Sequence, residues 1–119
     1  MKTIGIIGTR RRDSCEDFKI VCKKFLEVYI IGDQICSGLC SKGGDRFAII
    51  IAKKYKCQTL WFLADWNRYG REAGFIRNTD IAKNSNILIA CVSANRTGGT
   101  EDTIRKFIKF HGAENLNVV

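Results

Sequence analysis

The chain has 119 residues, of which 45% are hydrophobic and 27% are charged, and its formal net charge is +8 at pH 7. This length and composition predict one globular domain over residues 1–119 and exclude a disordered or fibrous chain. The charge favours anionic partners such as nucleotides, phosphorylated metabolites or nucleic acid, and a solvated lysine-rich surface is an equally good explanation of it.

Short apolar runs alternate with segments of helical periodicity along the chain. The runs are rich in branched residues and are bounded by glycine or polar residues, which predicts strands at 2–8, 34–38, 58–64, 86–92 and 116–119. The segments between them predict helices that begin after Ser14, at Asp45, at 71–84 and at 100–111. Ser14 and Asp17 have the spacing of a capping box.

Alternating strands and helices imply right-handed crossovers and a parallel sheet covered on both faces. The predicted fold class is therefore α/β, a three-layer Rossmann-like sandwich with a mostly parallel sheet of about five strands. Ligands bind beyond the carboxyl ends of the strands in such a sheet. Glycine, hydroxyl and basic residues are concentrated at three of these junctions, in the strings GTRRR, SGLCSKGGD and VSANRTGGT.

Two of these junctions carry a pair of glycines before a predicted helix. The string after the second strand is not a P-loop, because Gly44 and Asp45 stand where that motif has lysine and serine or threonine. Gly43 and Gly44 are instead expected to bring backbone N–H groups to a phosphate at the helix N-terminus. Gly98, Gly99 and Thr100 repeat the arrangement, so two helix termini would form a two-part anion site, with simple tight turns as the alternative.

Polar and aromatic residues near these junctions are further candidates. Asp45 would repel a phosphate, so we expect it to cap its helix or to bind a ribose hydroxyl. Asp65 and Trp66 are candidates to present a carboxylate and a stacking ring to a base, and packing of Trp66 over the sheet edge is the equal alternative. Arg77 and Asn78 lie in the helix that follows, where a surface salt bridge is the ordinary role of an arginine.

The six cysteines form no CxxC pair, and the one histidine has no partner at ligand spacing. The apolar stretch after Lys2 is too short for a secretory signal, and no apolar run approaches the length of a membrane span. We therefore expect a cytoplasmic protein with reduced, buried thiols, without membrane association, metal site or cofactor.

The strings GTR, SG…GGDRFA, ADWNRYGREAGFIRN and GGTEDT together resemble the SLOG superfamily, in particular its small stand-alone branch related to the YspA/YpsA-type proteins. The resemblance covers nearly the whole chain and extends distantly to the Lonely Guy phosphoribohydrolases and DNA-processing protein A. It implies a Rossmann-like fold with three ligand loops, which are formed by Gly8, Thr9 and Arg10, by Ser37, Gly38, Gly43, Gly44 and Asp45, and by Gly98, Gly99 and Thr100. Lys42 and Ser93, in the same junctions, complete the predicted ligand-binding residues.

The chain departs from the phosphoribohydrolase pattern at the residues that would carry catalysis. Arg77 resembles the arginine of the Arg-Lys motif, but Asn78 follows it. The pattern Pro-Gly-Gly-x-Gly-Thr-x-x-Glu is replaced by RTGGTEDT, so Thr103 stands where the resemblance places a glutamate, and Leu39 stands where glycine is more usual. The candidates for a catalytic role are Arg77, Asp45, Glu101 and Asp102.

These patterns favour a protein that binds a nucleotide or a nucleotide-derived signal, such as an ADP-ribose derivative or a cyclic nucleotide. It would act as a sequestering sponge or as a sensor, without turnover. A nucleotide N-glycoside hydrolase of the phosphoribohydrolase type is the alternative, and a single-stranded DNA-binding module is the second alternative. Trp61, Phe62 and Trp66 are candidate contacts of a homodimer.

Overall fold

The computed structural model describes residues 1–119 and contains five strands and five α-helices. The strands are β1 (Thr3–Gly8), β2 (Gln34–Ser37), β3 (Gln58–Trp61), β4 (Ile87–Cys91) and β5 (Leu116–Val118). The helices are α1 (Cys15–Val28), α2 (Gly44–Lys54), α3 (Trp66–Tyr69), α4 (Ala73–Asn84) and α5 (Gly99–His111), and a 3₁₀ turn at Gly70–Glu72 joins α3 to α4. None of the helices combines the length and the apolar character needed to cross a membrane.

All four strand pairings are parallel, and the strands lie in the order β3-β2-β1-β4-β5. The chain moves outward from β1 to β3 on one side of the sheet and then returns to place β4 on the other side of β1. This arrangement confirms the α/β fold class predicted from the sequence. The point where the strand order reverses lies between β1 and β4, which is where a sheet of this kind opens a crevice for a ligand.

Each face of the sheet is covered by its own apolar core. On one face α1 and α2 pack against the strands through fully buried side chains that include Phe25 and Phe47. On the other face α4 and α5 pack through Ile81 and Phe107. Trp61 and Phe62 are half-buried against these two cores, so of the three predicted dimer contacts only Trp66 is well exposed.

Local hydrogen bonds decide where several elements begin. The capping box predicted at α1 is confirmed, because Ser14 Oγ accepts the Asp17 N–H and the Asp17 carboxylate accepts the Ser14 N–H. The prediction is less accurate after β3, where the strand ends at Trp61 instead of continuing to residue 64. Asp65 accepts the Arg68 N–H and starts the short helix α3, which the sequence pattern did not predict.

The six cysteines are all free thiols. Cys22, Cys36 and Cys91 are buried, as predicted, but Cys15 at the start of α1 is exposed. Burial raises the pKa of Cys36 to about 11, so this thiol stays protonated at neutral pH.

Candidate functional site

A cavity of about 360 Å³ opens at the carboxyl ends of β1 and β4, where the strand order reverses. Its walls are the loop after β1, the segment that joins β2 to α2, the middle of α4 and the first turn of α5. The structure brings together here many of the residues predicted from the sequence: Gly8, Thr9, Arg10, Asp45, Arg77, Asn78, Gly98, Gly99 and Thr100.

Three arginines give the cavity its charge. Arg10, Arg11 and Arg77 line it, and none of them has a carboxylate within ion-pair distance. By contrast, four arginines outside the cavity each pair with a carboxylate, namely Arg12, Arg46, Arg96 and Arg105. The cavity therefore keeps three guanidinium groups that form no ion pair, and planar guanidinium donors are well suited to bind phosphate.

Arg77 is held in place by two neighbours. Its Nη1 donates to the Gly38 carbonyl oxygen at 3.0 Å, and its Nε donates to Asn78 Oδ1 at 3.2 Å. A Cβ atom at residue 38 would lie 2.6 Å from Arg77 Nη1, so only a glycine lets the guanidinium lie against the loop. Gly38 thus positions Arg77 without itself lining the cavity.

Asn78 lines the cavity and connects α4 to α5 by hydrogen bonds. Its buried Nδ2 donates to the Gly99 carbonyl oxygen at 3.3 Å and to Asp102 Oδ2 at 3.2 Å. Asp102 also accepts from Lys106 Nζ at 2.8 Å. Glu101 is turned to Arg96, which donates to both of its carboxylate oxygens at 2.8 and 3.0 Å. Neither of these two candidate catalytic carboxylates lines the cavity.

Asp45 is the one carboxylate in the cavity wall. Its Oδ1 accepts from Ser37 Oγ at 2.9 Å and its Oδ2 accepts from the Cys40 N–H at 3.0 Å, so it closes the loop between β2 and α2. It does not cap α2 as expected, because Gly43 is the N-cap residue and no side chain bonds the first turn. Burial raises the pKa of Asp45, although the bonds from Cys40 and Ser37 and the nearby charges of Arg77 and Arg10 act in the opposite direction.

The two glycines at the N-terminus of α2, expected to form half of an anion site, do not line the cavity. The Gly43 N–H donates to Asp13 Oδ1 at 2.7 Å, and Asp13 also pairs with Arg46 at 2.8 Å. These bonds from Gly43 and Arg46 lower the pKa of Asp13, so a carboxylate of the chain itself already occupies this terminus.

The neighbours of Gly43 are likewise engaged elsewhere. Gly44 packs against β1 so closely that a Cβ atom there would lie 2.1 Å from the Ile7 carbonyl carbon. Neither glycine lines the cavity, and Lys42 is exposed outside it.

The N-terminus of α5, in contrast, opens on the cavity. Gly98 is its N-cap residue with a φ of +103°, a conformation that favours glycine, and no side chain caps the first turn. Gly98, Gly99 and Thr100 all line the cavity. Unbonded N–H groups and the helix dipole make such a terminus favourable for an anion.

Four other predicted residues lie away from the cavity. Asp65 caps α3, and Trp66 is 59% exposed beside Gly74. They follow β3 at the edge of the sheet, with β2 between that strand and β1, so the expected base-stacking platform is not at the cavity. Ser37 lies behind Asp45, and Ser93 is buried in the loop after β4, where its Oγ bonds Asn95 Oδ1 at 2.9 Å.

Several residues of the cavity wall were not predicted from the sequence, including Arg11, Cys40, Thr97 and Thr103. Arg11 belongs to a run of three arginines whose last member, Arg12, turns away to bond the carbonyls of Val92 and Val119. Thr103 lies one helical turn after Gly99, so the 3.6-residue period would have placed it on the same side of α5. Nothing in the sequence marks Cys40, whose Sγ lies 3.0 Å from Arg10 Nε.

The loop between β2 and α2 contains one strained residue. Leu39 has a φ of +59°, in the left-handed region that glycine adopts most easily. Glycine would adopt this conformation without strain, and here a leucine adopts it. The strain lies between Gly38, which supports Arg77, and Cys40, whose N–H binds Asp45.

A second and wider groove, of about 640 Å³, runs along the exposed face of α1. Phe18, Leu26 and Tyr55 line it together with several lysines. Five of its nine lining residues are hydrophobic and the other four are three lysines and one glutamate, so it offers a mainly apolar surface with charged neighbours.

The cavity at the end of β1 and β4 combines arginines without carboxylate partners, an open helix terminus and one engaged carboxylate. This chemistry suits a small anion that carries phosphate. Comparison of the chain with protein-family models, with curated proteins and with solved structures finds no match in any of the three.

Proposed function

We propose that the chain binds a nucleotide or a nucleotide-derived ligand in the 360 Å³ cavity and acts as a sequestering sponge or as a sensor. The observation that carries this proposal is the meeting of three unpaired arginines with the open terminus of α5. That meeting lies at the reversal of strand order, where sheets of this type bind phosphorylated ligands. The resemblance of the sequence to the SLOG superfamily supports a ligand of the nucleotide type.

We propose further that the ligand leaves the cavity unchanged. Cleavage of an N-glycosidic bond requires a carboxylate that can activate water or stabilise an oxocarbenium-like centre. Glu101 and Asp102 are paired outside the cavity, and both oxygens of Asp45 accept hydrogen bonds from the loop. Asp45 is therefore the one carboxylate in the cavity wall, and the loop already engages both of its oxygens.

A thermal-shift screen of nucleotides, ADP-ribose derivatives and cyclic nucleotides tests the binding, with protein first freed of any carried ligand. A ligand present at 100 times its Kd stabilises the native state by about 2.7 kcal/mol. We expect Arg77→Ala to lose most of this stabilisation. Arg71→Ala is the matched control, because it removes the same charge from an exposed residue outside the cavity. Flat melting curves across the whole panel would contradict the proposal.

A nucleotide N-glycoside hydrolase is the second candidate, and one observation favours it. Asp45 lines the cavity and burial raises its pKa, a combination common among groups that exchange protons in catalysis. The bound nucleotide is therefore kept with excess protein for hours and then analysed by chromatography and mass. We expect the intact nucleotide, whereas release of free base that Asp45→Asn abolishes would favour the hydrolase.

A further inference from the structure

We propose that the cavity holds only the phosphate and the sugar of its ligand and leaves the base outside. Binding then depends on phosphorylation and not on the identity of the base. This inference rests on the proposed function and names the part of the nucleotide that the chain recognises.

The cavity wall offers no aromatic ring on which a base can stack. No aromatic side chain lines it, and its apolar residues are Ile7, Cys40 and Ile81. Protein sites that hold a base commonly stack it on an aromatic ring or on an apolar wall. The exposed ring of Trp66, the obvious candidate in the sequence, follows the edge strand β3 and is not part of the wall.

The side chains of the wall that could recognise the edge of a base already form hydrogen bonds within the protein. A base is distinguished by paired donors and acceptors, most often on a carboxamide or a carboxylate. The carboxamide of Asn78 donates to Gly99 and Asp102 and accepts from Arg77. The carboxylate of Asp45 accepts from Ser37 and Cys40. Both ends of Asn78 are engaged, and each Asp45 oxygen already accepts a hydrogen bond from the loop.

The groups that remain are mainly donors, and the hydroxyl groups of Thr9, Thr97, Thr100 and Thr103 can accept as well as donate. The others are the guanidinium groups of Arg10, Arg11 and Arg77 and the backbone N–H groups at the start of α5. Phosphate oxygens accept hydrogen bonds in several directions and match such a set, whereas each base needs a particular mixture of donors and acceptors. The chemistry of the wall thus selects phosphate and is indifferent to the base.

The size of the cavity agrees with a ligand that is only partly enclosed. Its volume of about 360 Å³ is near the lower end of the range of about 300–1,000 Å³ that ligand pockets occupy. The loop before α5 that forms its rim is exposed at Thr97 and Gly98. In this proposal the phosphorylated ribose lies within the wall and the attached base extends past this rim.

Isothermal titration at one fixed salt concentration tests the inference with six probes: AMP, GMP, CMP, UMP, ribose 5-phosphate and adenosine. We expect the four nucleotides to bind with Kd values within about threefold of one another and ribose 5-phosphate within about tenfold of them. Adenosine, which lacks the phosphate, should not bind. Arg77→Ala should weaken all five phosphorylated probes by the same factor, and Arg71→Ala should weaken none.

Two different failures are distinguishable in this experiment. If one base is preferred by more than about tenfold and ribose 5-phosphate does not bind, the inference is wrong while the proposed nucleotide binding stands. If none of the phosphorylated probes binds but the thermal-shift screen finds another nucleotide-derived ligand, the inference is wrong and the proposed function stands. If the screen also finds none, the proposed function is wrong and the inference falls with it.

Discussion

The position of the Arg77 side chain depends on Gly38, which lies 39 positions earlier in the chain. The Gly38 carbonyl oxygen accepts a hydrogen bond from Arg77 Nη1. Because Gly38 has no Cβ atom, the Arg77 guanidinium has room beside it. The glycine pattern of the second junction predicted a ligand contact for Gly38, and the arginine was predicted separately. Their relation could not be predicted, because it requires α4 to pack beside the loop after β2.

Gly38→Ala should displace Arg77 and weaken ligand binding without unfolding the protein. The new Cβ would lie 2.6 Å from Arg77 Nη1 and 2.8 Å from its Cδ, and a flexible side chain moves more easily than backbone. Losing a charge-assisted hydrogen bond costs about 1.5–3 kcal/mol, so we expect the Kd to rise by tenfold or more. The measurement is titration of a bound nucleotide, with thermal melting as the check on folding.

The double variant Gly38→Ala with Arg77→Ala is the control. If Gly38 acts only through Arg77, adding Gly38→Ala to Arg77→Ala leaves the affinity unchanged. Equal and additive losses in both backgrounds would contradict a positioning role for Gly38.

The two glycine pairs that start α2 and α5 look alike in the sequence but differ as structural elements. The α2 terminus is occupied by Asp13, which lies 30 residues before Gly43, and its Gly44 is pressed against β1. The α5 terminus has neither constraint and faces the cavity. Local sequence predicted both helix starts correctly to within a residue. It could not distinguish them, because the difference comes from contacts between distant segments.

Gly44→Ala and Gly99→Ala form a matched pair that tests this difference. At Gly44 a Cβ would lie 2.1 Å from the Ile7 carbonyl carbon and 2.3 Å from the Gly8 nitrogen, and backbone atoms cannot move aside. At Gly99 the nearest atom would be Asn78 Nδ2 at 3.7 Å, an ordinary contact. We expect Gly44→Ala to lower the free energy of unfolding by about 3 kcal/mol or more and Gly99→Ala by less than about 1 kcal/mol.

Chemical denaturation of the two variants and the parent protein supplies the comparison. Similar denaturation midpoints for both variants would contradict the close packing of Gly44 against β1.

At the scale of the whole molecule, the alternation of apolar runs and helical periods was sufficient to predict the parallel sheet and the rim that carries the site. The order of the strands was not predictable in this way, because it depends on which side of β1 each crossover takes. The strand order also determines where Asp65 and Trp66 lie relative to the cavity. They follow a strand as the other site residues do, but β3 is an edge strand and they end outside the cavity.

The fold as a whole should lose stability in acid, and Asp33 should account for part of the loss. Asp33 is buried, accepts the N–H groups of Lys2 at 3.0 Å and Ile30 at 2.9 Å, and pairs with the Lys2 ammonium group. Burial alone would raise the pKa of Asp33, but these partners together lower it below its ordinary value of 3.8.

Because the folded-state pKa of Asp33 is the lower one, its contribution to stability is complete above 3.8 and is lost as the pH falls through the folded-state value. Thermal melting between about pH 5 and pH 2.5 should therefore show a falling Tm. Asp33→Asn should have a lower Tm at pH 5 and a shallower fall. If the Tm of Asp33→Asn falls with pH as steeply as that of the parent protein, Asp33 does not contribute to the loss of stability in acid.

The central claim is that a phosphorylated ligand binds where β1, β4 and the start of α5 meet. Mapping of backbone amide shifts by nuclear magnetic resonance during titration with AMP tests it most directly, because it locates the ligand on the chain. We predict the largest shifts at Gly98, Gly99 and Thr100 and in the loop of Thr9 to Arg11. Shifts confined to the apolar groove along α1, or no shifts at saturating AMP, would contradict the claim.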